Sequence, residues 1–283
     1  MKTPIWIWLQ RMLPQRALCA FIYWISRCNI VWIKSPLISW FAKHYAIDLS
    51  EVAIPELRQY PNFNAFFTRS LKPDARSIDA GANVVVSPVD GRITEFGPIS
   101  NGQLLQAKGF TYSVTELLCN TQQEPELFMR GQYATIYLAP HNYHRIHAPM
   151  SGKLTSMLYI AGKRFSVNGL TTTHIENLFC RNERLVCWMD AEIGAYAAVL
   201  VGALNVSSIA TTITGEIRSG RDHAWPKIDA ARFERGEEFA TFNLGSTVIL
   251  LFPENSIVWN EDLQKGQTLR LGQRIGDVTG QNA

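Results

Sequence analysis

The sequence predicts an α+β protein in which N-terminal helices precede a mainly antiparallel β core with short helices. Three observations support this fold class. The first 47 residues are basic, aromatic and free of acidic residues. From about residue 83 onward, short apolar runs alternate with glycine or proline, as in antiparallel sheets. Apolar residues make up 47% of the 283 residues, which is ordinary for a globular chain of one large or two small domains.

The N-terminal segment, residues 1–47, concentrates both positive charge and tryptophan. It holds six basic residues and no acidic one, whereas the remaining chain has 21 basic and 24 acidic residues. Five of the eight tryptophans fall in it: Trp6, Trp8, Trp24, Trp32 and Trp40. This composition is typical of helices that lie on an anionic membrane surface. A helical hairpin packed on the rest of the protein is the alternative.

The sequence does not predict a membrane-crossing helix or a secretory signal. A spanning helix needs about 20 apolar residues, and the uncharged run Ala17–Ser26 is half as long. Arg11 and Arg16 interrupt the apolar stretch where a signal peptide would need it unbroken. Residues 193–215 reach membrane length but contain glycines, threonines and Asn205, which favours two buried strands joined near Asn205.

The later helices and strands are predicted from apolar runs and from the glycine and proline residues between them. Residues 62–67 predict a short helix, and residues 113–119 predict another. Strands are predicted over residues 84–86, 92–96, 134–138, 153–159, 185–190, 195–201 and 247–252. Residues 87–94 and 148–155 share one pattern, in which proline and glycine predict a tight turn that leads into a strand. We therefore expect a membrane-associating helical region at 1–80 and a β-rich catalytic domain at 81–283.

Cysteine and histidine positions bear on the type of chemistry. The five cysteines are an odd number without CxxC spacing, so neither a disulfide framework nor a zinc site is expected, and a reducing compartment is the simpler interpretation. Three of the six histidines, His141, His144 and His147, lie within seven positions. Histidine suits proton transfer near neutral pH. Their spacing is compatible with metal ligation, but no further ligand cluster completes a set, so no metal is predicted.

A serine and an aspartate complete a candidate catalytic group. The Gly245-Ser246 bond precedes the apolar run 247–252, and glycine tolerates unusual backbone angles that expose a carbonyl to attack. Asp90 lies in a Pro-Val-Asp-Gly turn, where aspartate is common for structural reasons. If the fold brings these residues together, Ser246 would be the nucleophile, His147 the base and Asp90 the carboxylate that orients the base.

Taken together, eight segments in this order resemble the phosphatidylserine decarboxylases, specifically the prokaryotic type I pyruvoyl-dependent enzymes. The segments are Phe63-Asn64-Ala65-Phe66-Phe67-Thr68-Arg69, Ser87-Pro88-Val89-Asp90-Gly91, Gln106-Ala107-Lys108-Gly109, Tyr143-His144-Arg145-Ile146-His147, Phe165-Ser166-Val167-Asn168, Arg181-Asn182-Glu183-Arg184, Val201-Gly202-Ala203 and Leu244-Gly245-Ser246-Thr247. The resemblance covers nearly the whole chain.

The resemblance implies a proenzyme that cuts itself between Gly245 and Ser246 into a large chain, 1–245, and a small chain, 246–283. The matching base is His147, oriented by Asp90. Ser246 would become a covalent pyruvoyl group, which is the expected cofactor. That group would form a Schiff base with the amino group of phosphatidylserine and accept the electrons released with carbon dioxide, giving phosphatidylethanolamine. His144 is the candidate proton donor to the substrate carbon.

The expected partners are phosphatidylserine, an anionic membrane surface, and the two chains of one precursor as a heterodimer, with a higher oligomer left open and no nucleic acid. The expected location is peripheral, on the cytoplasmic side of a bacterial cell membrane. Lys108, Arg145, Arg181 and Arg184 are candidates for the lipid phosphate by charge alone. Two alternatives stay open: a non-catalytic membrane-surface module of the same fold, and a biotinyl or lipoyl carrier. The carrier would need a lysine in a Met-Lys-Met setting, which the sequence lacks.

Overall fold

The computed structural model describes residues 14–107, 109–119, 125–204, 208–217, 220–229, 231–244 and 246–279. The residues outside these ranges include Trp6, Trp8, Arg11, Lys108, Asn205 and the glycine of the predicted cleavage site, Gly245.

The described chain begins with a bent helical hairpin. Helix α1 covers Gln15–Ser26 and helix α2 covers Val31–His44, with Pro36 inside α2. Further helices are short: α3 Phe63–Phe67, α4 Val114–Leu118, α5 Gly169–Thr172 and α6 Leu178–Arg181. In the part of the chain that the structure describes, each single helix is too short or too polar to cross a membrane; α1 and α2 reach the required length and hydropathy only as a pair bent by 100°.

The helices predicted around residues 62–67 and 113–119 are confirmed, and their caps explain their bounds. The Asn62 side chain accepts a hydrogen bond from the backbone N–H of Ala65 and so begins α3. The Ser113 side chain accepts from Thr115 and Glu116 and begins α4, which ends where Cys119 turns left-handed.

The strands start at Val84, as expected from the apolar runs, and every predicted strand is present. They are β1 Val84–Val86, β2 Gly91–Pro98, β3 Gln103–Ala107, β4 Phe110–Ser113, β5 Gln132–Leu138, β6 Arg145–His147, β7 Gly152–Ile160, β8 Arg184–Ala191, β9 Gly194–Gly202, β10 Ser208–Thr211, β11 Gly215–Ile217, β12 His223–Trp225, β13 Arg232–Phe233, β14 Glu238–Asn243, β15 Ser246–Phe252, β16 Ile257–Trp259, β17 Thr268–Leu269 and β18 Arg274–Val278.

The largest sheet has the strand order β12-β7-β8-β9-β15-β5-β2-β17, with β13 paired to β7. Its ladders are antiparallel, so the α+β class with a mainly antiparallel core is confirmed. Strand β15 lies inside this sheet between β5 and β9, and all its residues are buried. A smaller sheet, β11-β10-β14-β6, contains the histidine segment. In it His147 lies opposite Glu238, and the backbone N–H of Phe242, four residues before Ser246, donates to the carbonyl of His144.

Two hydrophobic clusters divide the apolar interior. The larger one fills the sheets. The smaller one, called here the helical cluster, joins the N-terminal helices to α3 and consists of Ile38, Phe41, Ala42, Val52, Tyr60, Phe63, Phe66, Phe67 and Leu244. Leu244 is the member that comes from the far end of the sequence, two residues before Ser246. The N-terminal helices, α3 and the chain that leads into β15 therefore share one hydrophobic cluster.

The two similar stretches, 87–94 and 148–155, form turns that lead into β2 and β7, as predicted. They also bind each other. The backbone N–H of His147 donates to the carbonyl of Pro88 at 2.9 Å, and that of Val86 donates to the carbonyl of Pro149 at 3.0 Å. This reciprocal pairing places the turn that contains Asp90 next to the strand that contains His147.

Candidate active site

Ser246 is the first residue of β15 and is held on both sides by the sheet. It is paired with Leu138 of β5 and with Gly202 of β9. Its side chain is fully buried, and its hydroxyl has no hydrogen-bond partner among the described residues. Buried hydroxyls almost always have a partner. The neighbouring hydroxyl of Thr247 also lacks a partner among the described residues. The position of Ser246 at the predicted cleavage bond, together with its unused hydroxyl, makes it the candidate nucleophile.

Leu244 lies just before the predicted cleavage site in an unusual backbone conformation. Its φ is 82°, which is the left-handed region that disfavours residues with a Cβ. The cost of this conformation is about 1–2 kcal/mol. Burial of its side chain in the helical cluster offsets this cost. The segment that leads to Ser246 is thus held in a strained form by the N-terminal helices.

Asn243 anchors the same segment by polar contacts. Its Nδ2 donates to Oγ of Ser208 at 2.8 Å, and its Oδ1 accepts from Nδ2 of Asn64 at 3.0 Å. Asn64 belongs to α3, so this contact is a second link between the N-terminal region and the chain before Ser246.

His147 lies at the end of β6 with both ring nitrogens engaged. Nδ1 is 2.7 Å from the carbonyl of Gly236, and Nε2 is 3.1 Å from the hydroxyl of Tyr143. A carbonyl can only accept, so the hydrogen bond assigns the proton to Nδ1 and leaves Nε2 as the basic atom. Burial lowers the pKa of His147, which keeps the ring neutral and able to accept a proton.

The structure places Asp90 near His147 but does not join the two by a hydrogen bond. Nε of Arg76 donates to Oδ1 of Asp90 at 2.9 Å, and Nη2 donates to Oδ2 at 2.5 Å. The backbone N–H of Leu271 also donates to Oδ1, at 2.8 Å. The orienting contact that the sequence assigned to Asp90 is therefore made by the carbonyl of Gly236. The reason is geometric, since the two-pronged guanidinium of Arg76 matches both carboxylate oxygens at once.

Asp90 nevertheless acts on His147 through its charge. The negative charges of Glu238 and of Asp90 both oppose the lowering of the His147 pKa by burial. They favour the imidazolium that forms when the ring accepts a proton. Asp90 thus influences the base without touching it in this geometry.

His144 is fully buried and is the residue immediately before β6. The centroids of its ring and the ring of Phe67 are 4.1 Å apart. Its Nδ1 is 2.8 Å from the carbonyl of Asn142, which places the proton there, and its Nε2 has no partner among the described residues. Burial lowers the pKa of His144 to about 3. In this state Nε2 is an acceptor, so His144 can donate a proton to a substrate only after it has first received one.

The three histidines that are clustered in the sequence have different surroundings in the structure. His141 lines a cavity, His144 packs on Phe67, and His147 contacts Tyr143. Among the described residues, no group of three histidine, cysteine, aspartate or glutamate side chains is placed to hold a metal ion.

A buried polar network supports the strand that faces Ser246. Nδ2 of Asn182 donates to the carbonyl of Gly202 at 2.8 Å. Nη2 of Arg164 donates to Glu183 at 2.9 Å, and a side chain on Gly202 would collide with Glu183. Gly202 is therefore required for this close approach. The segments 165–168 and 181–184 act here as supports for the start of β15.

Three neighbours of the candidate base and its aspartate were not predicted from the sequence: Arg76, Tyr143 and Gly236. Tyr143 lies in the segment Tyr143-His144-Arg145-Ile146-His147, so its place beside the histidines gives a sequence signal. Arg76 and the carbonyl of Gly236 have no such signal. Of the residues proposed for the lipid phosphate by charge, Arg145 is paired with Glu238 at 2.8 Å. Arg184 is buried and donates to backbone carbonyls, which indicates a structural role.

Comparison with known proteins gives a family for this arrangement. The family model described as phosphatidylserine decarboxylase matches residues 63–277, and a second one, described as PSD, matches residues 5–46. The chain belongs to the phosphatidylserine decarboxylase family. All eight segments that carried the resemblance fall within residues 63–277, so the family assignment made from the sequence is confirmed.

Relatives of this decarboxylase family match over nearly the full length. The phosphatidylserine decarboxylase proenzyme of Ectopseudomonas mendocina is 43% identical, with 98% of this chain and 99% of the relative covered. The proenzyme of Saccharophagus degradans is 42% identical, with 98% and 99% covered. The proenzyme of Marinobacter nauticus is 46% identical, with 87% of each covered. Each relative is named a proenzyme, which implies processing of that protein.

Proposed function

We propose that this chain is a proenzyme that cuts itself between Gly245 and Ser246 and then decarboxylates phosphatidylserine to phosphatidylethanolamine. The observation that carries the proposal is the fully buried, partnerless hydroxyl of Ser246 at the start of β15. The strained conformation of Leu244 on the amino side of the same bond supports it.

Self-cleavage needs only groups of this chain and one water molecule. Oγ of Ser246 attacks the carbonyl of Gly245, and the amide nitrogen leaves, which converts the peptide bond into an ester. A base then removes the α-proton of residue 246, and elimination releases the large chain with a free carboxylate. The dehydroalanine that remains is hydrolysed to a pyruvoyl group with loss of ammonia.

The proposed base for these steps is Nε2 of His147. A serine hydroxyl is a weak nucleophile until a neighbour accepts its proton. In the uncut chain the Tyr143 hydroxyl occupies the lone pair of Nε2, and the described residues show no hydrogen bond between His147 and Ser246. The proposal therefore requires His147 to release Tyr143 and to approach the hydroxyl of Ser246 before the chain reacts. Asp90 stabilises the resulting imidazolium by its charge, which is the role left to it by the contact with Arg76.

The residues around Ser246 fit a pyruvoyl group formed in place. The hydroxyl that would be lost has no hydrogen bond to any described residue, and the backbone of residue 246 is paired with β5 and β9. The group supplies an electron sink for the decarboxylation. Burial excludes bulk water from the position where charge develops.

His144 is proposed to move one proton at Nε2 during turnover. Its neutral ring first accepts a proton from the substrate ammonium, because an amine must lose a proton before it can act as a nucleophile. After carbon dioxide leaves, the same Nε2 delivers the proton to the substrate carbon. The lowered pKa of His144 favours return of the proton.

The two proposed chains, 1–245 and 246–283, would stay together as a heterodimer after the cut. The small chain would contribute β15, β17 and β18, which pair with β5, β9, β2 and β1 of the large chain. β15 is buried along its whole length, so its separation would expose a large apolar area. We also propose that the large chain contains two regions, a membrane-associating helical region at 1–80 and the first part of the β-rich catalytic domain from residue 81.

Membrane contact is proposed for the outer face of the helical hairpin. One face of the hairpin packs on the protein through Cys19, Ile38 and Phe41. The opposite face exposes Phe21, Trp24, Ile30, Val31, Trp32 and Trp40. Exposed tryptophans beside basic residues suit an anionic lipid surface. We place the protein peripherally on the cytoplasmic side of the cell membrane.

The activity is tested by incubating the purified protein with phosphatidylserine in mixed micelles and measuring carbon dioxide and phosphatidylethanolamine. We expect both products from the natural chain and neither from Ser246→Ala. Ser256→Ala, a buried serine of the same proposed small chain, should remain active. An uncut natural chain that binds micelles without releasing carbon dioxide would support the non-catalytic membrane module instead.

A further inference from the structure

A cavity of about 200 Å³ lies beside the candidate site, where the end of α2 meets the histidine segment. Its wall includes Tyr45, which follows α2 directly, and His141 and Tyr143 of the histidine segment. Trp40, one turn earlier in α2, is exposed on the proposed membrane face. The cavity is therefore lined both by the residue that follows α2 and by the tyrosine whose hydroxyl contacts His147. A larger cavity of about 470 Å³ contains none of these groups.

One wall residue, Arg69, has a charge that no described residue neutralises. Its side chain is only 5% exposed, and it forms no ion pair within the described ranges. Nη2 donates to the carbonyl of His141 at 2.9 Å, and Nη1 makes a long contact with the carbonyl of Phe67 at 3.5 Å. Nε is buried without a partner.

This arrangement is unfavourable for the protein alone. Arginine stays protonated in proteins, so burial leaves a cation out of water without an opposite charge. A guanidinium with unused N–H donors is complementary to an anion with several oxygens. A buried residue of this kind in the wall of a cavity indicates a binding site for an anionic group.

The carboxylates that share the cavity wall already have donors. Arg76 donates to both Asp90 and Glu51, and Arg270 also donates to Glu51. Asp48 accepts from the backbone and hydroxyl of Ser50. The attraction of Asp90 for Arg69 is opposed by the repulsion from Arg76. The cation left over in this wall is therefore Arg69.

Arg69 is also close to the proposed proton carrier. Its guanidinium contacts the carbonyl of Phe67, whose ring packs on that of His144. The charge of Arg69 acts on the His144 ring and disfavours its protonated form. A headgroup held at Arg69 would thus lie within reach of the group that must protonate its carbon.

We propose that Arg69 binds the phosphodiester of the phosphatidylserine headgroup. This inference rests on the proposed function, because it names how the same site holds its substrate. The carboxylate is the other anion of the headgroup, but its charge disappears as carbon dioxide leaves. An arginine on the carboxylate would stabilise the ground state more than the transition state and would slow the reaction. The phosphodiester keeps its charge throughout.

The kinetic test compares Arg69→Met and Arg69→Lys with the natural chain on phosphatidylserine in mixed micelles. We expect KM to rise about 10- to 100-fold for Arg69→Met, with kcat changed by less than about threefold. Arg69→Lys should be intermediate, since lysine keeps the charge but not the fork. The matched control is Arg130→Met, an exposed arginine away from the site, which should leave KM unchanged. A fall in kcat with unchanged KM would overturn the proposal.

Two soluble probes distinguish the phosphodiester from the carboxylate of the headgroup. Neither probe has a primary amine, so neither can form a Schiff base. Glycerophosphocholine carries the phosphodiester, and N-acetylserine carries the carboxylate. Glycerophosphocholine should inhibit the natural enzyme competitively and should lose at least about tenfold in potency against Arg69→Met. Inhibition by N-acetylserine in its place, or inhibition that does not depend on Arg69, would contradict the phosphodiester assignment.

A binding measurement covers the case in which Arg69→Met does not mature. Titration calorimetry with glycerophosphocholine on the uncut Ser246→Ala chain should show binding that is absent from Ser246→Ala/Arg69→Met. A merely structural Arg69 predicts a lower Tm for the double variant, whereas a buried unpaired cation predicts an equal or higher Tm. If the natural chain shows no decarboxylation, the proposed function is contradicted but the role of Arg69 is not, since this titration does not depend on turnover.

Discussion

The hydroxyl of Tyr143 lies 3.1 Å from Nε2 of His147, while Nδ1 of the same ring is 2.7 Å from the carbonyl of Gly236. The proposed base is therefore oriented by a backbone carbonyl and covered by a tyrosine. The lone pair that would receive the proton is already occupied. If His147 is the base, the onset of the proposed self-cleavage depends on how readily Tyr143 is displaced.

Replacement of Tyr143 by phenylalanine should shift the pH dependence of self-cleavage. The tyrosine hydrogen bond stabilises the neutral ring, so its loss should raise the pKa of His147. The acidic limb of the cleavage rate should move to higher pH by roughly 0.5–1 unit. The measurement follows cleavage of freshly translated chain between pH 5 and 8. Tyr133→Phe, a buried tyrosine elsewhere, should leave the limb in place, and an unmoved limb in Tyr143→Phe would count against the proposed base.

Replacement of Arg76 by methionine should destabilise the chain strongly. Asp90 and Glu51 would lose their shared donor, and the Asp90 side chain is only 10% exposed. Loss of one partner of a buried pair costs about 3–5 kcal/mol. Urea unfolding in the uncut Ser246→Ala background measures the change. Arg130→Met breaks an exposed pair with Glu254 and should cost less than about 1 kcal/mol. Equal effects of the two substitutions would refute the importance of the buried pair.

The left-handed backbone of Leu244 predicts an inverted preference between alanine and glycine. Both Leu244→Ala and Leu244→Gly remove the side chain from the helical cluster and should slow self-cleavage. Glycine also relieves the strain at φ 82°, so Leu244→Gly should be about 1 kcal/mol more stable than Leu244→Ala. At Leu263, which is buried without a positive φ, alanine should be the more stable choice. The same order at both positions would show that Leu244 is not strained.

His144 should make the uncut Ser246→Ala chain sensitive to acid. Its pKa falls from 6.5 in the unfolded chain to about 3 in the folded chain. Between these values the unfolded state binds more protons, so stability is complete above about pH 6.5 and is lost as the pH falls. One histidine contributes a slope of up to about 1.4 kcal/mol per pH unit. His144→Leu should reduce the slope by that amount, while the exposed His223→Leu should not. An unchanged slope in His144→Leu would mean that the ring is not buried in neutral form.

The exposed tryptophans should control membrane affinity. Trp32 and Trp40 are 87% and 56% exposed on α2. Replacement of both by serine should weaken sedimentation with vesicles that contain phosphatidylglycerol by at least about tenfold. Val258→Ser, which changes an apolar residue 58% exposed on β16, is the matched control. Equal binding of all three proteins would place the contact surface elsewhere.

Much of the fold could be predicted from the sequence because its elements depend on local patterns. The apolar run at β15 and the proline and glycine before β2 determine those elements within a few residues. Ser246, His147 and His144 could be named as candidates because reactive residue types recur in segments that resemble a family. Their catalytic roles remain predictions.

The contacts of the site could not be predicted, because they depend on partners far apart in the chain. Arg76 reaches Asp90 across 14 positions, and Gly236 reaches His147 across 89. A backbone carbonyl has no sequence signature at all. Arg69 was inside a segment that was singled out, yet nothing in the sequence separates a buried unpaired arginine from a solvated one.

The intact mass of the purified protein under denaturing conditions shows whether the chain is cut before Ser246 and whether that residue has become a pyruvoyl group. We predict two chains, residues 1–245 and 246–283, with the small chain lighter by one ammonia than its sequence requires. Ser246→Ala should give one chain of full mass. A single full-length mass for the natural protein after incubation with phosphatidylserine vesicles would rule out self-cleavage, and a small chain of unreduced mass would rule out the pyruvoyl group.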